Sequence, residues 1–112
     1  MASILVTADS ISVVLTATER MEALHGDVIV PRSSVVGVRA VDDAMSEVHG
    51  IRAPGTGVPG LLMIGTLHDH GTKTFAVCHG RHRAVLIELS GQAFDRLLVT
   101  VDDVDEVLAQ LR

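Results

Sequence analysis

The chain has 112 residues, of which 47% are hydrophobic, 9 are basic and 14 are acidic, giving a formal net charge of −5. This length allows one domain with a single core, and the domain is predicted to span residues 1–112. The acidic balance and the scarcity of aromatic residues disfavour nucleic acid as a partner, because phosphates attract basic proteins and bases stack on aromatic rings. The single cysteine excludes an intramolecular disulfide.

No stretch of the sequence indicates export or insertion into a membrane. The first residues, MASILVTADSISVVLTA, lack a basic region and are interrupted by Asp9, so they are predicted to form strands and not a signal peptide. No apolar run reaches the ~18–20 residues that a membrane-spanning helix needs. The sequence therefore predicts a cytoplasmic protein and does not support membrane association.

The first part of the chain is predicted to contain two strands and a short helix. The β-branched runs at 3–7 and 11–16 indicate the strands. Thr16 and Glu19 have the spacing of a capping box, and the apolar residues that follow share one helical face. A short helix is therefore expected near residues 17–25.

The rest of the chain is predicted to consist of strands with short connections, closed by a second helix. Apolar or alternating runs bounded by turn-forming residues indicate strands at 28–30, 34–41, 61–67, 72–78, 84–89 and 94–101. Segment 42–50 is polar and is predicted to be a loop with one helical turn at most. Helical spacing recurs in the C-terminal residues Val104, Val107, Leu108 and Leu111. This order predicts a mainly β domain, a β-sandwich or partly open barrel with a C-terminal helix packed on it.

The segment IRAPGTGVPG, residues 51–60, fits the spacing G-x-G-x-x-G of a dinucleotide-binding loop. Such a loop needs a helix directly after it to hold the pyrophosphate, but the following LLMIGTL has no helical period. A structural turn is the better prediction, because proline and glycine set tight turns. The residues assigned to this turn are Pro54, Gly55, Gly57, Pro59 and Gly60.

The same segment carries a resemblance to a known family. The stretches RAPGTGVPGLLMIGTL, KTFAVC, RAVLIEL and LLVTVDDVDEVLAQL resemble the bacterial pleckstrin homology-like (bacterial PH) domains. The resemblance implies a PH-like fold, in which two nearly orthogonal antiparallel sheets hold seven strands and a C-terminal helix fills one open end. Inositol-phosphate recognition is not implied, because the first predicted hairpin lacks the Lys and Arg residues that phosphoinositide-binding PH domains carry there.

Three residues between two predicted strands form the only candidate metal cluster. His68 and His70 flank Asp69, and in an extended segment both imidazoles could face the same side. Zinc usually takes three or four protein ligands, and the histidines of the next connection are expected ~20 Å away, at the other end of a strand with ~3.4 Å per residue. The sequence therefore predicts no metal and no cofactor, with His68, Asp69 and His70 as the open alternative.

The candidates for a catalytic nucleophile lack the arrangement that catalysis needs. Cys78 lies beside His79 and near His82, but consecutive strand residues point to opposite faces, and a lone cysteine in a strand is typical of a small buried hydrophobe. Ser33 and Ser34 lack the glycines of a nucleophile elbow. The chain is therefore predicted not to be an enzyme.

The basic residues indicate one possible anion site. Arg81 and Arg83 lie at a predicted hairpin tip with Lys73 on the neighbouring strand, which indicates either an anion site or an ordinary solvated tip. Arg52 is expected either to join them or to pair with a carboxylate of the adjacent segment. The carboxylates within reach are Asp42, Asp43 and Glu47.

Three classes of function follow from these observations. We expect a non-enzymatic domain that acts through contact with a protein partner or as a homo-oligomer, because the sheet edges and apolar surface of a sandwich invite contact with another chain. The first alternative is a binder of a small anionic ligand or lipid headgroup, through Lys73, Arg81, Arg83 and Arg52. The second alternative is a metal protein or enzyme built on His68, Asp69 and His70.

Overall fold

The computed structural model describes all residues from 1 to 112, which form nine strands and two α-helices. In chain order these are β1 (Ser3–Val6), β2 (Ser10–Val14), α1 (Ala17–Ala23), β3 (Val28–Pro31), β4 (Val35–Val41), β5 (Ile51–Val58), β6 (Leu62–Asp69), β7 (Thr72–His79), β8 (Ala84–Leu89), β9 (Arg96–Thr100) and α2 (Val104–Leu111). Two 3₁₀ turns lie at Arg32–Ser34 and Ala44–Glu47. The predicted mainly β class and both predicted helices are confirmed.

The strands form two sheets, and the arrangement confirms the predicted β-sandwich with a C-terminal helix. The small sheet has the antiparallel order β1-β2-β3, and the large sheet has the order β4-β8-β9-β7-β6-β5. The large sheet does not close into a barrel, since β4 and β5 are its free edges. All its neighbours run antiparallel except β7 and β9, which run parallel. Nine strands and one parallel pair differ from the seven antiparallel strands that the resemblance implies.

The inner face of the large sheet packs against the small sheet and both helices. Helix α1 contacts β5 and β6, whereas α2 contacts β1, β4 and β8. The small sheet contributes alternate residues, such as Ile11 and Val13, which are fully buried while Ser12 between them faces outward. The core is aliphatic except for Phe75 and Phe94, whose ring centroids are 5.1 Å apart.

The outer face of the large sheet is also apolar, and segment 42–50 covers it. Met45 and Val48 of that segment pack on the second core cluster, which consists of Val41, Ala44, Met63, Leu67, Ala76, Cys78, Ala84, Leu86 and Leu98. The middle strands β7, β8 and β9 are therefore buried on both faces. This is why their sequences are nearly continuous apolar runs and do not alternate with polar residues.

Polar contacts hold segment 42–50 on this face. Glu47 accepts hydrogen bonds from Arg39 on β4, at 2.9 Å, and from Arg96 on β9, at 3.4 Å. The hydrogen bond from Arg39 is the main cause of a lowered pKa for the Glu47 carboxyl, although burial opposes it. The Ala44 amide donates to the His82 carbonyl at 2.9 Å. The predicted loop with one helical turn is thus a packed layer of the domain.

The glycine-rich segment lies mostly in a strand, which corrects the prediction of a single turn. Pro54, Gly55 and Gly57 belong to β5, and only Pro59 and Gly60 form the turn that leads to β6. The peptide bond before Pro54 is cis, and the register with β6 shifts there. β5 is an edge strand, and the side of an edge strand that faces away from the sheet makes no hydrogen bonds to a neighbouring strand. A proline, which has no backbone N–H to donate, is therefore tolerated there.

Gly65 on β6 is required by the close approach of β5, so we predict that Gly65→Ala destabilises the domain. A Cβ at Gly65 would overlap the backbone of Pro54 and Gly55, and the φ of Gly65 is +146°. We expect a loss of roughly 1–3 kcal/mol in the free energy of unfolding, measured by urea titration. Gly26→Ala is the control, because a Cβ there meets nothing within 4 Å. Equal unfolding midpoints for the two variants would contradict the close approach.

Candidate functional site

The four basic residues assigned to one anion site do not come together, which corrects that prediction. Lys73 lies near the start of β7 and Arg81 lies beyond its end, about 25 Å away at ~3.4 Å per residue. Arg83 lines a different pocket, beside the start of α2. Only Arg52 and Arg81 line the same cleft.

Arg83 and Lys73 have structural partners elsewhere. Arg83 forms an ion pair with Asp105 in the first turn of α2, with Nη2 3.2 Å from Oδ1. The hydrogen bond from Arg83 lowers the pKa of the Asp105 carboxyl. The Lys73 ammonium lies 5.1 Å from the centroid of the Phe94 ring, within the range of a cation–π contact.

The cleft shared by Arg52 and Arg81 has a volume of about 300 Å³ and lies between segment 42–50, β5 and the turn that follows β5. Its lining residues are Met45, Val48, Arg52, Gly57, Val58, Pro59, Gly60, Leu62, Met63 and Arg81. Five of these ten are hydrophobic and the two arginines are the only charged ones. A cleft lined by two cations and no carboxylate stands out in a chain with a net charge of −5.

Arg52 lies against Gly57 of β5. A Cβ at Gly57 would overlap the Arg52 guanidinium, whereas a Cβ at Gly55 would first meet the backbone of β6, 2.7 Å from the Ile64 carbonyl oxygen. The absence of a side chain at Gly57 thus leaves the space in which the arginine side chain lies. No carboxylate is within ion-pair distance of Arg52. The predicted pairing with Asp42, Asp43 or Glu47 is therefore wrong.

Arg81 reaches the cleft from the connection between β7 and β8. Its Nη1 lies 2.6 Å from Oδ2 of Asp43, and its Nε would lie 3.8 Å from a Cβ at Gly60. Asp43 also accepts a hydrogen bond from the Met45 amide at 3.0 Å. Asp43 thus fixes Arg81 at the mouth of the cleft and neutralises one of the two positive charges.

The candidate metal residues have other contacts. His68 Nε2 lies 2.9 Å from the Ala53 carbonyl oxygen. His70 is 97% exposed, with Nε2 3.5 Å from Oδ1 of Asp69. No group of three or more His, Cys, Asp or Glu side chains is placed to hold a metal ion.

Two of the three candidate nucleophiles are buried, and Ser33 is exposed. Cys78 lies beneath segment 42–50, with Sγ 3.8 Å from the Leu98 carbonyl oxygen, and burial raises the pKa of its thiol to about 12. Such a thiol is protonated at neutral pH and is a poor nucleophile. Ser34 is also buried, and its hydroxyl donates to the Pro31 carbonyl at 2.6 Å.

A buried carboxylate joins three parts of the chain, and the sequence indicated only one of its contacts. Glu19 is 2% exposed and completes the predicted capping box with Thr16. It also lies 2.6 Å from Nε2 of His79 on β7 and accepts a hydrogen bond from the Ala2 amide at 3.1 Å. Burial opposes ionisation, but the hydrogen bonds from Thr16 and His79 outweigh it and lower the pKa of Glu19. This network anchors the N-terminus and α1 to the large sheet.

The outer face of the small sheet carries no charged side chain. The residues that point outward are Ser3, Leu5, Ser10, Ser12, Val14, Ile29 and Pro31. Leu5 and Ile29 are 59% and 67% exposed, and they flank Ser12 in one cross-strand row. This sheet face, defined by those seven residues, is the second candidate surface.

Comparison with known proteins adds no assignment to these surfaces. No protein-family model, no curated protein and no solved structure matches the chain. The resemblance to bacterial PH domains stays a prediction based on the residues that carry it. None of the helices is long and apolar enough to cross a lipid bilayer. A fold alone does not determine function, so the chemistry of these surfaces is what indicates it.

We predict that Glu19→Gln lowers stability at neutral pH and that the loss shrinks in acid. The glutamine side chain keeps one oxygen acceptor, but its NH₂ group lies next to the backbone amides that donate to the carboxylate in the wild type. We expect this mismatch to lower the free energy of unfolding by at least about 2 kcal/mol at pH 7. Because the pKa of Glu19 is lower in the folded chain, its contribution is complete above the unfolded value of about 4.3 and disappears as pH falls through the folded value. Urea unfolding at pH 7 and at pH values below 4 measures both effects.

Glu22→Gln is the control for that prediction, because Glu22 lies on the same helix and its carboxylate has no ion-pair partner. We expect its stability to stay within about 0.5 kcal/mol of the wild-type value at both pH values. A Glu19→Gln deficit that is equally large in acid would show that the ionised carboxylate is not the source of the stabilisation.

Proposed function

We propose that the protein is a non-enzymatic interaction domain that self-associates through the outer face of the small sheet. The observation that carries the proposal is the absence of charge on this face, together with the exposure of Leu5 and Ile29. Charged residues make up 21% of the chain, so seven positions would hold one or two charged residues on average, and this face holds none. Uncharged faces with exposed aliphatic residues are typical of contact surfaces.

The shape of this face supports a second copy of the chain as the partner. Leu5 and Ile29 protrude on either side of Ser12, which has the smaller side chain. The row thus offers both a protruding aliphatic group and the notch that can receive one. A two-fold interface requires such self-complementarity, because each copy presents the same surface to the other. The neutral face also lets two chains of net charge −5 meet without placing like charges in contact.

The charged residues nearest this face lie at its two ends. Arg20 and Asp27 form an ion pair at 3.0 Å beside the start of β3, and the Arg32 amide donates to the Asp9 carbonyl at 2.9 Å beyond its end. An uncharged centre with polar ends is the usual anatomy of a protein interface.

The size of the face supports weak association. Three strands at ~4.8 Å spacing and about five residues at ~3.4 Å each give an area of roughly 15 by 15 Å, which is small beside the ~800 Å² that each partner contributes to a stable interface. We therefore expect a weak dimer that forms only at high protein concentration. Membership of the bacterial PH-like family is part of this proposal and rests on the sequence resemblance.

Ile29→Lys is predicted to abolish self-association, with Val36→Lys as the matched control. Both residues are β-branched aliphatic strand residues that are 67% exposed, but Val36 lies on β4 of the large sheet. Sedimentation equilibrium over a wide concentration range should show a concentration-dependent dimer for the wild type and for Val36→Lys. The dissociation constant of Ile29→Lys should rise at least about tenfold, because a lysine in the contact adds a charge that the partner cannot pair.

Two results would contradict the proposed interface. A wild-type chain that remains monomeric at millimolar concentration would exclude self-association as the function. Equal dissociation constants for the two variants would show that copies meet elsewhere on the surface. Thermal unfolding of both variants distinguishes a lost contact from a lost fold.

A further inference from the structure

We propose that the cleft between segment 42–50 and β5 binds a small organic monoanion with an apolar tail, of the class of aliphatic carboxylates. The cleft combines the Arg52 guanidinium, which has no carboxylate partner, with the apolar side chains of Met45 and Met63. This site lies on the outer face of the large sheet and does not depend on the proposed contact through the small sheet.

The charge of the cleft indicates one negative charge on the ligand. Arg52 and Arg81 are the only charged lining residues, and Asp43 pairs with Arg81 at 2.6 Å. One positive charge therefore remains uncompensated at the wall. A guanidinium presents a planar set of donors that fits a carboxylate, and it binds such a group more strongly than a neutral one. A ligand with several charges would find only one unpaired cation here.

The apolar part of the cleft indicates a tail on that ligand. Half of the lining residues are hydrophobic: Met45 and Val48 come from segment 42–50, and Val58, Leu62 and Met63 come from β5 and β6. The volume of about 300 Å³ is at the lower end of the range for small-molecule sites. A short aliphatic chain fills such a volume, whereas a free inorganic anion would leave the apolar wall without a contact.

The glycine-rich segment leaves room for the cation of the cleft. A Cβ at Gly57 would overlap the Arg52 guanidinium, so the missing side chain lets that guanidinium lie along β5 at the cleft wall. This accounts for a glycine at position 57 of a strand, where glycine is otherwise unfavourable. Gly55 is required instead by the backbone of β6, because a Cβ there would lie 2.7 Å from the Ile64 carbonyl oxygen.

Methionine methyl NMR with hexanoate as the probe tests this site directly. The chain has four methionines, of which Met45 and Met63 line the cleft while Met1 and Met21 do not. Hexanoate should shift the ¹³C-methyl signals of Met45 and Met63 in a saturable manner, with roughly millimolar affinity for a ligand of this size. The signals of Met1 and Met21 should stay unchanged. Acetate, which lacks the tail, and 1-hexanol, which lacks the charge, should each bind at least about tenfold more weakly.

Three variants locate the binding charge. Arg52→Gln should raise the dissociation constant for hexanoate at least about tenfold, because it removes the unpaired cation from an exposed position without breaking an ion pair. Gly57→Ala should have a similar effect because it displaces the guanidinium while keeping its charge. Arg83→Gln is the control, since Arg83 follows Arg81 in the same connection but lines another pocket.

The results that overturn the inference are distinct from those that test the self-association. Unchanged Met45 and Met63 signals at 50 millimolar hexanoate, far above the ~1 millimolar expected, would exclude the ligand class. Equal shifts at all four methionines would show non-specific contact with exposed apolar groups. An Arg52→Gln variant that folds as the wild type does and binds hexanoate with the wild-type constant would show that the cleft cation has no role. Thermal unfolding of each variant confirms that loss of binding is not loss of the fold.

Discussion

The structure depends on one constraint, which is that both faces of the six-stranded sheet are apolar and both must be covered. The inner face is covered by a second sheet and two helices, whereas the outer face has only the segment 42–50. Glu47 holds that segment through Arg39 and Arg96, and the Ala44 amide holds it through the His82 carbonyl. Segment 42–50 connects β4 to β5, the two edge strands, so it crosses the whole sheet. The cleft lies beside it, between Met45 and Val48 of the segment and the residues at the end of β5.

The two candidate surfaces therefore have different physical origins. The cleft lies beside the outer cover, so it combines apolar residues of the second core cluster with the arginines that border them. The outer face of the small sheet is exposed to solvent because nothing packs on it. Its strands point aliphatic residues inward and serine, proline and a few aliphatic residues outward, so the face has no charged side chain. Neither surface requires the other, so an assembly role and a ligand role can coexist in one domain.

Local patterns in the sequence predicted the elements well, because these depend on neighbouring residues. The period of α2, the capping box at Thr16 and the hairpin of β6 and β7 are examples. Contacts between distant residues could not be predicted: Glu19 and His79 are separated by 60 positions, and no local signal links them. The glycine-rich segment was predicted wrongly for a related reason. Gly57 leaves room for the side chain of Arg52 and Gly55 leaves room for the backbone of β6, and these tertiary requirements have the same sequence pattern as a turn.

The most direct test of the central claim is the reactivity of the single thiol. Cys78 lies in the outer core cluster, beneath segment 42–50, so a disulfide reagent reaches it only when the cover opens. We expect the native chain to react far more slowly than the unfolded chain. Glu47→Ala should accelerate the reaction about tenfold or more by loosening the segment, whereas the exposed Glu88, which lacks an ion pair, should tolerate the same change. A native thiol that reacts as fast as the unfolded chain would contradict the account, because the outer face would then be open to solvent.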